Sequence, residues 1–310
     1  MPRQNIDKNL SGNYILTGWI KKMNTHNYIC SKQVIWASNK GIKLVGSHSD
    51  RGKAAYTKSL DENLFEPMSE DVQNQFNRGS GGELTPQQDG RRPKMFATHS
   101  SSVLGVNVFH YWRNRDIKAI AEACKLCSNA NTDTMTLFFE KQCEIDSSLP
   151  IPPNLDILIE TSSGTHYGIE SKFTEPYSTN GHGGIKQAYL QLDLWSDIPE
   201  LHKLAKAISP DDNTFHHLHA AQLIKHILGL KNITGVDGNK KQFRLLYLYY
   251  DALGEKACEH LQEIKIFKQH TDADGIQFSY MSYQELIIRL SQRCIGDHCD
   301  YMKYITERYL

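Results

Sequence analysis

The chain reads as an α/β protein preceded by an N-terminal extension, and three observations lead there. From residue 95 onward, segments with helical spacing of apolar residues alternate with short β-prone runs. Two such runs in mid-chain are joined by five residues of turn chemistry. Ahead of them lies a polar stretch rich in glycine and proline, where apolar residues thin out.

Residues 12 to 45 hold short apolar and aromatic runs, Asn13 to Ile20 and Gln33 to Ala37, consistent with a small ordered unit. From Gly46 to Lys94 the composition changes, and Arg78-Gly79-Ser80-Gly81-Gly82-Glu83 with Pro86, Gly90 and Pro93 reads as a long loop or linker. A structureless stretch of that length is uncommon inside a domain, so it marks a boundary or a segment that grips substrate. The expected organisation is therefore an N-terminal region over 1–94 and a main domain over 95–310. Order resumes at Met95 with Ser100 to Tyr111, followed by a helix opened by Asp116, whose stripe is Ile117, Ile120, Ala121, Cys124 and Cys127. Thr136 to Ile145 reads as a strand. After the mid-chain runs, Gly181-His182-Gly183-Gly184 introduces a helix over Ile185 to Trp195, and a second helix spans 213 to 230. Phe243 to Tyr250 and Ile276 to Met281 are β-prone, and Tyr283 to Gln292 closes the series as a helix.

The mid-chain runs are Leu155-Asp156-Ile157-Leu158-Ile159-Glu160 and Tyr167-Gly168-Ile169-Glu170-Ser171-Lys172-Phe173, with Thr161 to Thr165 between them. An antiparallel hairpin is the economical reading. Side chains alternate faces along a strand, so Glu170 and Lys172 share one face while Ile169, Ser171 and Phe173 share the other. If the turn centres on Ser163, each residue pairs with the one equally far beyond it, and Asp156 falls opposite Glu170. Like charges set directly opposite destabilise a sheet by roughly 0.2 to 1 kcal/mol. A divalent cation would compensate, since carboxylates are hard oxygen ligands suited to Mg²⁺ or Mn²⁺.

Acid-x-Lys also occurs at Asp116-Ile117-Lys118 and Glu263-Ile264-Lys265. Both fall in helical segments, where residues two apart do not face one another. Only the mid-chain copy has strand context. Glu140 and Glu144 share a parity in the preceding strand and could add a carboxylate; a helical wheel turns Glu122 away from its apolar stripe. Gln187 and Gln191 lie four apart on one helix face.

Composition sets outer limits. At 310 residues and 39% hydrophobic the chain can bury a sizeable core. Lys+Arg 35 balances Asp+Glu 35, so any nucleic-acid surface must be local, with Arg91-Arg92-Pro93-Lys94, Arg113-Asn114-Arg115 and Lys240-Lys241 as candidates. Fourteen histidines include His216, His217 and His219, placed at the opening of an amphipathic helix. Seven scattered cysteines argue for a reduced compartment over a disulfide framework. Cys124 and Cys127 suit a buried stripe better than a zinc site, and Cys294, His298 and Cys299 are unevenly spaced for one. No run reaches the ~20 apolar residues of a membrane helix, so a soluble, cytoplasmic protein is expected.

Pro152-Pro153-Asn154-Leu155-Asp156 followed by Gly168-Ile169-Glu170-Ser171-Lys172-Phe173-Thr174-Glu175-Pro176-Tyr177 resembles the PD-(D/E)XK nuclease superfamily, and within it a family of bacterial restriction endonucleases. His99-Ser100-Ser101-Ser102-Val103-Leu104-Gly105-Val106-Asn107-Val108-Phe109 extends the resemblance over residues 95 to 200. One departure is that Asn154-Leu155 separates Pro153 from Asp156, where the motif has proline adjacent. The resemblance implies a restriction-endonuclease-like core, a mixed central sheet flanked by helices. It also implies Asp156 and Glu170 as ligands of Mg²⁺ (or Mn²⁺), with Lys172 assisting an attacking water, and DNA as the partner of a chain that admits a homodimer. In this reading Lys172 is desolvated by Phe173 and neighbouring aliphatics, and the Tyr177 to Gly184 loop touches the DNA backbone. The competing reading is a non-catalytic nucleic-acid-binding module that kept the fold and the motif.

Overall fold

The computed structural model describes residues 24–48, 51–79, 81–178, 181–235, 240–293 and 296–310. The run Asn13 to Ile20 and Cys294 lie outside them. In chain order the helices are α1 (Thr25–Asn39), α2 (Glu70–Arg78), α3 (Ser101–Arg113) and α4 (Ile117–Ala123) before the sheet begins. Strands β1 (Met135–Gln142), β2 (Asn154–Thr161) and β3 (His166–Lys172) follow consecutively. Then come α5 (Gln187–Leu190), α6 (Pro199–Ala207), α7 (Ala220–Ile233), β4 (Phe243–Tyr249), α8 (Glu255–Ala273), β5 (Phe278–Ser282), α9 (Tyr283–Ser291) and α10 (Cys299–Tyr309).

The five strands lie in sequence order. β1, β2 and β3 form an antiparallel meander, whereas β4 and β5 add in parallel after helical crossovers. The sheet is thus mixed, as a restriction-endonuclease-like core requires. The hairpin register is the one Ser163 dictates: Ile157 pairs with Ile169, Leu158 with Gly168, Ile159 with Tyr167 and Glu160 with His166. Its turn closes through Thr165 N–H donating to Thr161 Oγ1 at 2.9 Å, and Gly164 adopts the left-handed φ of +80° that favours glycine.

Each face of the sheet buries a separate apolar layer. One joins Leu137, Phe139, Ile157, Ile159, Ile169 and Leu248 to α3, α4, α9 and α10. The other joins Leu158, Leu245, Tyr247 and Phe278 to α6, α7 and α8. α7 comes close to the sheet at two glycines: a Cβ on Gly229 would meet the Cys143 carbonyl at 2.8 Å, and one on Gly168 would meet Leu155 and Leu230 at 2.8 Å. Helix α7 therefore sits directly over β3, the strand carrying Glu170 and Lys172.

Several elements differ from expectation. The 46–94 stretch is not merely a loop: Leu64, Met68, Val72 and Phe76 enter the same core as Val103 and Phe109, and Phe76 stacks on Phe139 at 5.7 Å. Widely spaced anchors in a polar segment are weak sequence signals. α4 ends at Ala123, because Lys125 turns to a left-handed φ of 61°. Cys124 is still buried, beyond the helix. The helix expected over Ile185 to Trp195 shrinks to α5, since Ile185, Trp195 and Ile198 reach the core from irregular backbone. α7 starts at Ala220, not at 213. Helices α6 and α10 carried no expectation. No helix of the described residues is long and apolar enough to cross a membrane.

Arg308 of α10 holds α1 and the 61–98 segment to the main body. It is 1% exposed and donates to Gln33 Oε1 (3.0 Å), Asn63 O (2.7 Å), Asn63 Oδ1 (2.6 Å) and Thr98 O (3.2 Å), while lying 4.0 Å from the Trp36 ring centroid. Arg308→Ala leaves Gln33 Oε1, Asn63 Oδ1 and Thr98 O buried and unpaired, while Asn63 O keeps Asn107 Nδ2 at 3.0 Å, and should cost about 3 kcal/mol or more. The urea midpoint measures it; an unchanged midpoint would show that the guanidinium carries no such role.

Candidate active site

The acids occupy one end of the sheet. β1 pairs Phe139 with Ile157 and Lys141 with Leu155, so Glu140 stands opposite Asp156, and the hairpin register sets Glu170 on the other side of Asp156. Three carboxylates thus occupy corresponding positions on three neighbouring strands. The β2–β3 ladder stops at Ile157 and Ile169. Beyond it the Asp156 carboxylate substitutes for a backbone carbonyl, its Oδ2 accepting from Ser171 N–H at 2.7 Å. Glu140 departs from regular strand geometry, with φ at 48°, a conformation uncommon for a residue other than glycine.

Glu170 is fully buried. Its Oε1 receives the Lys172 ammonium and its Oε2 lies 2.8 Å from His226 Nε2. Burial pushes the Glu170 carboxyl up, but Lys172 and His226 outweigh it and hold the group well below the ordinary range. The Lys172 Nζ also donates to Gln222 Oε1 at 3.1 Å. Burial alone would lower its pKa; Glu170, Asp156 and Glu175 reverse that and keep it charged. Phe173 does not desolvate it. Successive residues of an extended chain face opposite ways, and Phe173 packs instead against Tyr250 and Tyr309.

Asp156 and Glu140 lack such relief. Burial, then Glu170 and Glu140, push the Asp156 carboxyl well above its ordinary value, against the opposing effects of Lys172 and the Ser171 N–H. Burial, then Glu83 and Glu170, raise Glu140 to about 7. Both acids line a cleft of about 360 Å³ whose other walls include Glu83, Asn154, His219, Gln222, Lys225 and His226. This donor chemistry fits a Mg²⁺ ion, which needs only one or two carboxylates besides water and substrate oxygens. No preformed group of three His, Cys, Asp or Glu metal ligands occurs among the described residues, in the cleft or elsewhere.

Asp156, Glu170 and Lys172 thus come together, and Glu140 joins them. Glu144 does not, being exposed beyond the end of β1. Glu122 pairs with Arg293 away from the cleft. Gln187 and Gln191 are exposed and line no part of it; Gln222 is the glutamine that reaches Lys172. The sequence reading missed Gln222 and His226, which stand among several polar positions of α7, Lys225 and Lys231 included, with nothing local to single them out. The basic runs are largely engaged internally: Arg91 with Asp89, Arg113 with Asp71, Arg115 with Glu66, and Lys240 on the Asp274 carbonyl.

A mixed sheet with acids and a lysine gathered at one end beneath a helix defines an α/β protein with a restriction-endonuclease-like core. The chain belongs to the family described as restriction endonuclease associating with ARP, whose model matches residues 26–310. No curated protein matches the chain, and neither does any solved structure.

A carboxylate whose folded pKa is raised destabilises the fold once it ionises. Stability associated with protonated Glu140 is fully present below pH ~4.5 and is lost as pH rises to about 7. Glu140→Gln should therefore gain on the wild type across that window, by up to about 3 kcal/mol above it. Thermal unfolding in chelator from pH 4.5 to 8 measures the gain; a pH-independent difference would refute it.

Proposed function

We propose that the chain is a Mg²⁺-dependent endodeoxyribonuclease of the PD-(D/E)XK type, hydrolysing DNA phosphodiester bonds. The observation that carries this reading is a contrast in one cluster: Asp156 and Glu140 line the cleft and repel each other, while Lys172, bonded to Gln222 of the cleft wall, stays charged behind them. Asp156 and Glu170 would hold the metal, with Glu140 available as a further oxygen donor. Bound Mg²⁺, or Mn²⁺ in its place, would lower the pKa of a coordinated water and neutralise phosphate charge.

The chain's own residues have separable tasks. Lys172, held protonated, acts as a cation rather than a proton acceptor and stabilises charge developing on the phosphate. Gln222 and Glu170 fix the direction of its ammonium. His226 holds Glu170 from the helix side, so strand and helix position the carboxylate together. The family's description also makes ARP a proposed partner.

A non-catalytic DNA-binding module is the second reading. One observation favours it: both Glu170 oxygens are already occupied, Oε1 by the Lys172 ammonium and Oε2 by the His226 ring nitrogen at 2.8 Å. Incubating the protein with plasmid and single-stranded DNA, with Mg²⁺ or chelator, separates the two, because only the nuclease cuts and only with metal.

Asp156→Asn should abolish Mg²⁺-dependent cleavage while raising the melting temperature, since an amide still accepts from Ser171 N–H and removes the repulsion. Cleavage assays and melting curves on the same preparation test it, and retained cutting would sink the assignment. Lys172→Gln should likewise abolish cutting, but at a stability cost of about 3 kcal/mol, because the buried Glu170 loses a partner. Denaturant titration measures that cost.

A further inference from the structure

The cleft is polarised, and only its acidic side enters the chemistry above. Glu83, Glu140 and Asp156 occupy that side, whereas α7 contributes His219 and Lys225. Behind them the His182 ring lies 4.8 Å from the His219 ring. Lys225 lies 5.9 Å from the Tyr189 ring centroid and is close enough to Lys186 to be repelled by it. Neither lysine joins an ion pair among the described residues, in contrast to Arg91, Lys94, Arg113, Arg115 and Lys240 of the basic runs. The nearest acid on this side is Asp212, 3.9 Å from His182 Nε2. Its other oxygen accepts from the backbone N–H groups of Thr214 and Phe215 at 2.9 Å, so it serves mainly to cap a turn.

The loop supplying His182 and Lys186 is anchored. Gly184 N–H donates to the Pro210 carbonyl at 3.1 Å, and a Cβ on Gly184 would fall 1.7 Å from the Ile208 carbonyl oxygen. Ile185 is buried in the core beside it. Lys225 and His219 thus line the acidic cleft, with the His182 ring against His219 and Lys186 near Lys225 behind them. Burial pushes the His219 imidazole down to about 4, so it meets the cleft as a neutral hydrogen-bonding ring, and it is the two lysine charges that repel unless an anion lies between them.

We infer that Lys186, Lys225, His182 and His219 form a subsite for one backbone phosphate of the bound DNA strand, next to the phosphate that is hydrolysed. The inference rests on the nuclease reading for the identity of the anion. Lys172 faces the acids and serves the reacting phosphate; the Lys186–Lys225 wall serves its neighbour. A cation beside each of two successive phosphates sets the position of the strand over Asp156, a positioning role that carries no base sequence information.

The test uses the full chain and a mixed-sequence 30-base-pair duplex in chelator, so that binding is measured without cleavage. Losing one phosphate contact should flatten the slope of log affinity against log salt by about 1. The Lys186→Gln/Lys225→Gln double variant should show that change and bind about tenfold more weakly near 0.1 M salt. Lys186→Gln alone, at an exposed position, should show part of it with an unchanged melting temperature. Lys203→Gln/Lys206→Gln on α6, a matched loss of charge, should leave the slope as it is. With Mg²⁺, KM of the double variant should rise about tenfold and kcat stay within about twofold.

An unchanged slope in the double variant, an equal change in the α6 control, or no DNA binding by the wild type would each overturn the subsite. A fall in kcat at constant KM would also overturn it, by placing these lysines on the reacting phosphate. Wild-type binding without cutting defeats the nuclease reading and leaves the subsite standing; cutting with an unaltered slope defeats the subsite alone.

Discussion

The buried carboxylate of Glu170, paired with the Lys172 ammonium of its own strand and lying 2.8 Å from the His226 ring of α7, is the constraint on which the site depends. An isolated charge at that depth costs several kcal/mol, so neither partner can be dispensed with. Because one partner is local and the other distant, the pairing fixes α7 over β3. That placement brings Gln222, His219 and Lys225 to the cleft. The glycines at 168 and 229 permit the close approach.

Around this satisfied pair the remaining acids are left in conflict. Asp156 and Glu140 occupy matching positions on adjacent strands with no cation of their own, and their carboxyls resist ionisation. Such a conflict lowers stability in the free protein, and it is the arrangement in which an added divalent ion gains most. Sites that bind charge are often strained in this way, with the surrounding core supplying the compensation. Here the two apolar layers on either face of the sheet do so, together with the Arg308 network that ties α1 to the body.

Much of this was legible in the chain. The turn at Thr161 to Thr165 fixes a register centred on Ser163, and the period of two along a strand then decides which residues share a face. Both are local effects, and the hairpin follows them. The same locality explains the misreadings. Ile185, Leu192 and Trp195 keep a helical period, yet most of that stretch is irregular, because the period records only which residues become buried. Leu64, Val72 and Phe76 are too sparse in a polar segment to announce a core contribution. Gln187 and Gln191 share one face of the helix expected over Ile185 to Trp195, whereas only packing brings Gln222 of α7 across the sheet to Lys172.

By itself, then, the sequence determined the α/β class, the hairpin register and the meeting of Asp156 with Glu170, all governed by neighbours a few residues apart. Tertiary structure alone decided that Glu140 rather than Glu144 completes the acidic row, that His226 and Gln222 hold Glu170 and Lys172, and that α7 sets Lys225 and His219 in the same cleft as the acids. Those outcomes depend on how a helix settles on a sheet, which is set by side-chain volume and close approach at particular glycines, and no local pattern encodes it.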